Sequence, residues 1–214
     1  MRLLESFSGT GSIGKAFREQ GWEVVSLDLD PKSGATIVAD FMTWDYSMYS
    51  PGYFDAVWGS PPCTHYSICR TTAKTPRDLE GSDNLVQRML DVIEYYNPKI
   101  WAFENPETGL LKTRQVVHGV PWKSVSYCMY GYPYRKATRI WTNSQVWVPR
   151  PMCSKASPCE KMVDGRHPMS AQRGPGKTKG GRNLLDKFTL KQLYSIPPEL
   201  CKELAEAISQ EVGL

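Results

Sequence analysis

Three groups of side chains in the 214-residue sequence could do chemistry. The first is Cys63, which directly follows Pro61 and Pro62 in the segment GSPPC. Two prolines stiffen the chain ahead of it. The thiol is therefore held outward at a turn, unlike most lone cysteines, which pack as small hydrophobes. A thiol so placed is a candidate nucleophile. The second group is the acid–amide pair Glu104-Asn105, again followed by a proline, Pro106. A carboxyl group shielded from water there can give or take a proton. The third is Gly9-Thr10-Gly11-Ser12-Ile13-Gly14, a G-x-G-x-x-G turn with the acids Asp28 and Asp30 further on. Glycines let a cofactor approach the backbone, and an acid at that distance can bind ribose hydroxyls. Alone, this pattern fits a nicotinamide dinucleotide, S-adenosyl-L-methionine or only a tight structural turn.

These residues need a scaffold that brings distant segments to one edge. RLLESF is a short apolar strand ahead of the Gly turn, and GKAFREQ continues as helix. WEVVSLDL is a second strand ending in acids, FDAVWGS a third stopped by the prolines before Cys63, and KIWAFEN a fourth ending on Glu104-Asn105. SDNLVQRMLDVIEYY carries Leu85, Met89, Val92, Ile93 and Tyr96 at helical spacing, with Ser82 as its expected N-cap. SVSYCMY and TRIWTN read as a final strand pair. Strands alternating with helices imply the α/β class, a mainly parallel sheet with helices on both faces. Such sheets bind ligands at the carboxyl ends of their strands, where all three groups fall.

From 147 to 182 the chain turns rich in Pro, Gly and basic residues. Arg150, Lys155, Lys161, Arg166, Arg173, Lys177, Lys179 and Arg182 face only Glu160 and Asp164. This reads as a long loop or small domain, and localised positive charge suits a polyanion. A short helix, FTLKQLYSI, and a last helix, PELCKELAEAISQ, with Pro198 and Glu199 in its first turn, follow. The expected organisation is a catalytic unit over 1–146, a small basic recognition segment over 147–182, and C-terminal helices over 183–214 that return to the catalytic unit.

Charged residues make up 22% of the chain and hydrophobic residues 41%, the balance of a folded protein rather than a disordered one. No stretch approaches ~20 consecutive apolar residues and the start has no apolar leader run, so a cytoplasmic, non-secreted protein without a membrane partner is expected. A monomer is expected as well. Six cysteines in that setting read as reduced thiols, metal ligands or a nucleophile. Cys153, Cys159 and His167 are spaced C-x5-C-x7-H, an incomplete zinc pattern that Cys128, Cys201 or Asp164 would have to complete. Structural zinc and free thiols both stay open.

The ordered set resembles the DNA cytosine-5 methyltransferases, and its compactness is similar to virus- or phage-encoded members. ESFSGTGSIGKAF is similar to the family's first motif, Asp28 with Asp30 and Pro31 to its second, and Asp40 to its third. Pro62-Cys63, with Ser67 behind it, resembles the catalytic motif, and Glu104-Asn105 the acid–amide motif. GYPYRKATRIWTN resembles the late basic motif, and RNLLDKFTLKQLYSIPPEL the closing motifs, in which a helix returns to the cofactor. The resemblance covers most of the chain except about 147–180. It implies a Rossmann-like, class I S-adenosyl-L-methionine-dependent fold with a reduced target-recognition insertion and DNA as partner. Phe7, Ser8, Gly9, Thr10, Gly11, Ser12, Asp28, Leu29, Asp40, Phe41 and Pro61 would then surround the cofactor. Cys63, Glu104, Asn105, Lys136 and Arg139 would serve catalysis. A role in protecting DNA from restriction follows by the same analogy.

The sequence also departs from the family pattern. Thr64 stands where a Gln usually follows the cysteine, and Pro106 where a Val follows the acid–amide pair. Tyr134 replaces the Gln of the basic motif, leaving Arg135, Lys136 and Arg139 as its cations. The implied chemistry is addition of the Cys63 thiolate at cytosine C6, with Glu104 supplying a proton at N3, on a base flipped out of the duplex. The polar segment after Cys63, with Arg70, Lys74 and Arg77, would close over DNA and touch phosphates. Rival readings are an RNA or nucleotide cytosine-5 methyltransferase, a DNA-binding homologue with impaired catalysis, and an NAD-dependent enzyme. The last leaves Pro-Pro-Cys and Glu-Asn unexplained.

Overall fold

Successive side chains of β1 (Arg2–Ser6) enter different hydrophobic cores, Leu3 on one face of the sheet and Leu4 on the other. The same alternation separates Ala56 and Trp58 from Val57 in β4 (Ala56–Gly59), and Ala102 from Phe103 in β5 (Ile100–Pro106). Strands buried on both faces belong to a parallel sheet covered by helices. The computed structural model, which describes residues 1–171, 174–175 and 189–213, has that sheet. β1 pairs in parallel with β2 (Glu23–Asp28) and β4; β2 pairs with the short β3 (Ile37–Val38) and β4 with β5. β6 (Trp122–Ser126) and β7 (Ala137–Thr142) complete it, β7 running antiparallel to both β5 and β6. The order is β3-β2-β1-β4-β5-β7-β6, so the α/β sheet expected from the strand–helix alternation is present.

α1 (Ser12–Glu19) and α4 (Pro198–Val212) cover one face, and α2 (Leu79–Tyr96) covers the other. Trp22 Nε1 donates to Ser209 Oγ at 2.8 Å, and the Glu211 carboxylate accepts from Gln145 N at 2.7 Å, which stitches α4 to the sheet. A short α3 (Leu190–Tyr194) precedes α4, and β8 (Met169–Ser170) pairs with β9 (Gly174–Pro175) as a separate small hairpin. Among the described residues no helix is long and apolar enough to cross a membrane. Arg173, Lys177, Lys179 and Arg182, and the first part of the closing motif, lie outside the described residues.

Three points of local structure differ from the sequence reading. SVSYCMY is strand only up to Ser126, where β6 ends, and Tyr127–Tyr130 form a 3-10 turn. The N-cap of α2 is Asp78, whose carboxylate accepts from Gly81 N at 2.8 Å. Ser82 lies inside the helix and returns its hydroxyl to Asp78 O at 2.7 Å. The helix thus begins a turn earlier than its apolar stripe, because an acid outside the stripe satisfies the first free amides. β3 has no counterpart in the sequence reading, since two residues are too few for a period.

The Gly turn is built by strain and close approach. Gly9 and Gly11 have φ of 49° and 67°, the left-handed region open to glycine. Gly14 sits against β1: a Cβ there would lie 2.3 Å from Glu5 Oε2 and 3.1 Å from Val24 Cγ1. Gly14→Ala should therefore push α1 off the sheet and lower stability by about 1–3 kcal/mol, read by denaturant unfolding. An unchanged midpoint would show that the contact relaxes freely.

Candidate active site

The carboxyl ends of β1, β2, β4 and β5 open on one cleft of about 410 Å³. On one side Gly9 N donates to Asp28 Oδ2 at 2.7 Å and Asp30 N to Asp28 Oδ1 at 2.9 Å, so the turn and the acid after β2 hold each other. Phe7, Ser8, Gly9, Thr10, Ser12, Asp28, Leu29 and Pro61 line this cleft. Phe7 adopts φ 55°, unusual for a bulky residue, and its ring lies 4.5 Å from that of Phe41. Neither Phe41 nor Asp40 lines the cleft. Phe41 is buried behind Phe7, and Asp40 turns its carboxylate to Met42 N at 2.9 Å. Gly11 lines an adjoining hollow with Lys15, Tyr132 and Ser195.

The other side of the cleft holds Cys63, Glu104 and Lys136. Asn105 is buried beneath them. Its Nδ2 donates to Pro61 O at 2.9 Å and so ties the end of β5 to the turn before Cys63. Arg139 does not reach the cleft: it forms a two-pronged pair with Glu107 at 2.9 and 2.7 Å and lies 3.6 Å from the Trp122 ring centre. Lys136 is therefore the member of the basic motif that lines the cleft beside Cys63. A second hollow on the far side of Cys63 is lined by Ser67, Arg135 and Ala171, among others.

Electrostatics couple the reactive groups. Burial pushes the Glu104 carboxyl up, with Lys136 opposing, and its Oε2 is buried without a hydrogen-bond partner. Burial and then the negative charge of Glu104 push the Cys63 thiol up as well, while Lys136 pulls it down. A backbone hydrogen bond at Cys63 also pulls it down. A proton on Glu104 removes one of the two effects that push the Cys63 thiol up, so the two groups are coupled.

In the segment after Cys63 the arginines serve the loop itself. Arg70 Nη2 donates to Thr75 O at 2.8 Å, and Arg77 Nη2 to Ser67 O at 3.1 Å. Arg150 is likewise internal, held by Glu199 and Glu203 at 2.7 and 3.1 Å. Of the zinc candidates, Cys153, Cys159 and His167 come together with Cys128, whereas Cys201 is buried in α4 and Asp164 stays outside the cluster.

Sequence reasoning missed Glu5 and Tyr194. Glu5 is 2% exposed; its Oε1 accepts from Gly14 N at 3.0 Å and its Oε2 has no partner. An acid in the otherwise apolar RLLESF was the available signal. Tyr194, 68% exposed on α3, lines the mouth of the cleft through a contact between segments far apart in sequence.

No family model matches the chain. It is 34% identical over 220 residues to a protein of Frog virus 3 (isolate Goorha) named "Probable DNA (cytosine-5)-methyltransferase", covering 96% of this chain and 99% of that one. It is 24% identical over 151 residues to the type II methyltransferase M.AplI of Arthrospira platensis, 63% of this chain and 43% of that one. Among solved structures, the Entamoeba histolytica methyltransferase EhMeth matches over 100% of this chain and 99% of its own, with a TM-score of 0.63 at 12% identity, a likeness of fold.

Burial moves Glu5 up from 4.5 to about 7. Its protonated form contributes stability that is fully present below the unfolded value of 4.5 and is lost as pH rises through about 7. Glu5→Gln keeps an acceptor for Gly14 but cannot titrate. Unfolding free energies of variant and parent should converge near the unfolded value and differ by about 3 kcal/mol in the variant's favour at about pH 8. Parallel curves would assign the slope elsewhere.

Proposed function

The chain belongs to the DNA (cytosine-5)-methyltransferase family, and on that premise we propose that it transfers a methyl group from S-adenosyl-L-methionine to C5 of a DNA cytosine through a covalent adduct of Cys63. The observation that carries this reading is the meeting of Cys63 and the unpartnered Glu104 Oε2 in one cleft with the Gly turn and Asp28.

The residues present fit the methyl donor. Asp28 offers carboxylate lone pairs for ribose hydroxyls, and Phe7, Leu29 and Pro61 offer apolar surface for a purine. Glu5 Oε2, buried without a partner, is an acceptor for a cationic group. α1 has no side-chain N-cap, so its first amides suit a carboxylate. When bound, this group supplies an electrophilic methyl.

Cytosine C5 is a weak nucleophile in the ring. The Cys63 sulfur adds to C6, forming a C–S bond, and the ring electrons move toward N3 and C5. Glu104, whose protonated form burial favours, delivers its proton to N3. Lys136 stabilises the thiolate before attack. Asn105 is a positioning residue, since it holds the Pro61 carbonyl and not the substrate. After C5 takes the methyl group its proton leaves to a base, the C6–S bond breaks and the Cys63 thiolate is restored. The base must first leave the helical stack, because C6 is not accessible within it. Exposed Lys155 and Arg166 suit phosphate contacts.

Transfer of a labelled methyl group to duplex DNA, RNA and dCMP, assayed side by side, tests this reading. The expected result is label in duplex DNA alone. Cys63→Ser should abolish transfer, and Glu104→Gln should lower kcat by about 10²–10⁴-fold, while both bind S-adenosyl-L-methionine nearly as the parent does. Transfer by Cys63→Ser, or label in RNA or dCMP with none in DNA, would overturn it.

A further inference from the structure

Outside the cleft, the most concentrated chemistry lies in the basic lobe. We propose that Cys128, Cys153, Cys159 and His167 bind a structural Zn²⁺ that folds residues 148–171 onto the catalytic sheet. One ligand atom from each lies within 4.8 Å of the others. Cys159 Sγ is 3.2 Å and Cys153 Sγ 3.7 Å from His167 Nε2. Tetrahedral zinc, with bonds of about 2.3 Å to sulfur and about 2.0 Å to nitrogen, places its ligand atoms about 3.5–3.8 Å apart. The two observed sulfur–nitrogen separations fall on either side of the about 3.5 Å that these bond lengths give for such a pair. Three thiols and an imidazole form a soft donor set without carboxylates, which selects zinc over magnesium or calcium.

The lobe itself requires such a staple. Among the described residues of 148–171 only Cys153 is buried, and Val148 and Val163 are 76% and 59% exposed. A segment without an apolar core needs another source of order. Local geometry already aims the ligands. Val163 and Arg166 exchange backbone hydrogen bonds of 2.8 and 3.0 Å around Asp164-Gly165, both at positive φ, a tight hairpin turn. That turn returns His167 to Cys159. Cys128 comes from the short helical turn Tyr127–Tyr130 after β6, so an ion would join the lobe to the sheet.

The lobe also reaches the active cleft. Just beyond His167, Met169 bridges to Tyr134, and Ala171 lines the hollow shared by Cys63 and Arg135. The ion would therefore set where the lobe stands beside the target base. Binding releases the three thiol protons to solvent and leaves one net negative charge on the centre, which the basic lobe offsets.

The test uses the full chain purified under reducing conditions with zinc supplied, then freed of loose metal. Expected are about one zinc per chain, loss of it in Cys153→Ser and in His167→Ala, and retention in Cys69→Ser, whose cysteine lies outside the cluster. Co²⁺ in place of zinc should give the intense visible absorption of a tetrahedral thiolate site. Chelation should expose 148–171 to protease while leaving S-adenosyl-L-methionine binding in place. Zinc content no higher than in Cys153→Ser, or a disulfide among these cysteines under the same conditions, overturns the proposal. Neither readout depends on methyl transfer, so failure here leaves the proposed reaction standing.

Discussion

The hydrogen bond from Asn105 Nδ2 to the Pro61 carbonyl joins two strand ends that hydrogen bonding along the sheet does not reach. β4 and β5 pair only up to Gly59 and Phe103. Beyond that register, the prolines cannot donate to a ladder and the chain would be free to diverge. Asn105, 1% exposed, closes the gap and takes up a carbonyl that would otherwise be buried unpaired. Glu104 directly precedes Asn105, and Cys63 stands two residues after Pro61. Their mutual distance, and hence their electrostatic coupling, depends on this bond.

That coupling gives the site its working logic. A buried carboxylate and a buried thiolate disfavour each other, and burial disfavours both. Lys136 is shared between them and cannot satisfy two negative charges. The site is therefore poised to hold its proton on Glu104 until a base with a proton acceptor arrives. In the proposed reaction, transfer of that proton to the ring is matched by electron density arriving from sulfur, so charge moves through the substrate and does not accumulate in the cleft.

Much of this was legible in the sequence, for physical reasons. Short apolar runs mark β1, β2, β4 and β5, a Gly turn, acids or prolines end them, and a parallel sheet sends their ends to one edge. Chemistry placed at those ends therefore converges, as Gly9, Asp28, Cys63 and Glu104 do. Less legible was anything decided by side-chain direction or distant packing. Arg139 and Lys136 look equivalent in GYPYRKATRIWTN, yet Glu107 captures one and the cleft receives the other. Glu5 is hidden by its place in an apolar strand, and Cys128 lies far in sequence from the other three ligands of the cluster. Arg70 and Arg77 bond carbonyls of their own loop, contacts that sequence spacing does not show.

The central claim is that Cys63 bonds to cytosine C6 during turnover. The most direct measurement is covalent trapping on a random-sequence duplex containing 5-fluorocytosine, with S-adenosyl-L-methionine present, followed by digestion and mass spectrometry. Fluorine occupies the place of the proton that must leave C5, so the C–S bond cannot break. The predicted result is a methylated fluorocytosine attached to the peptide that carries Cys63. An adduct on a different cysteine, or efficient methylation of ordinary duplex without any trapped adduct on the fluorinated one, would contradict it.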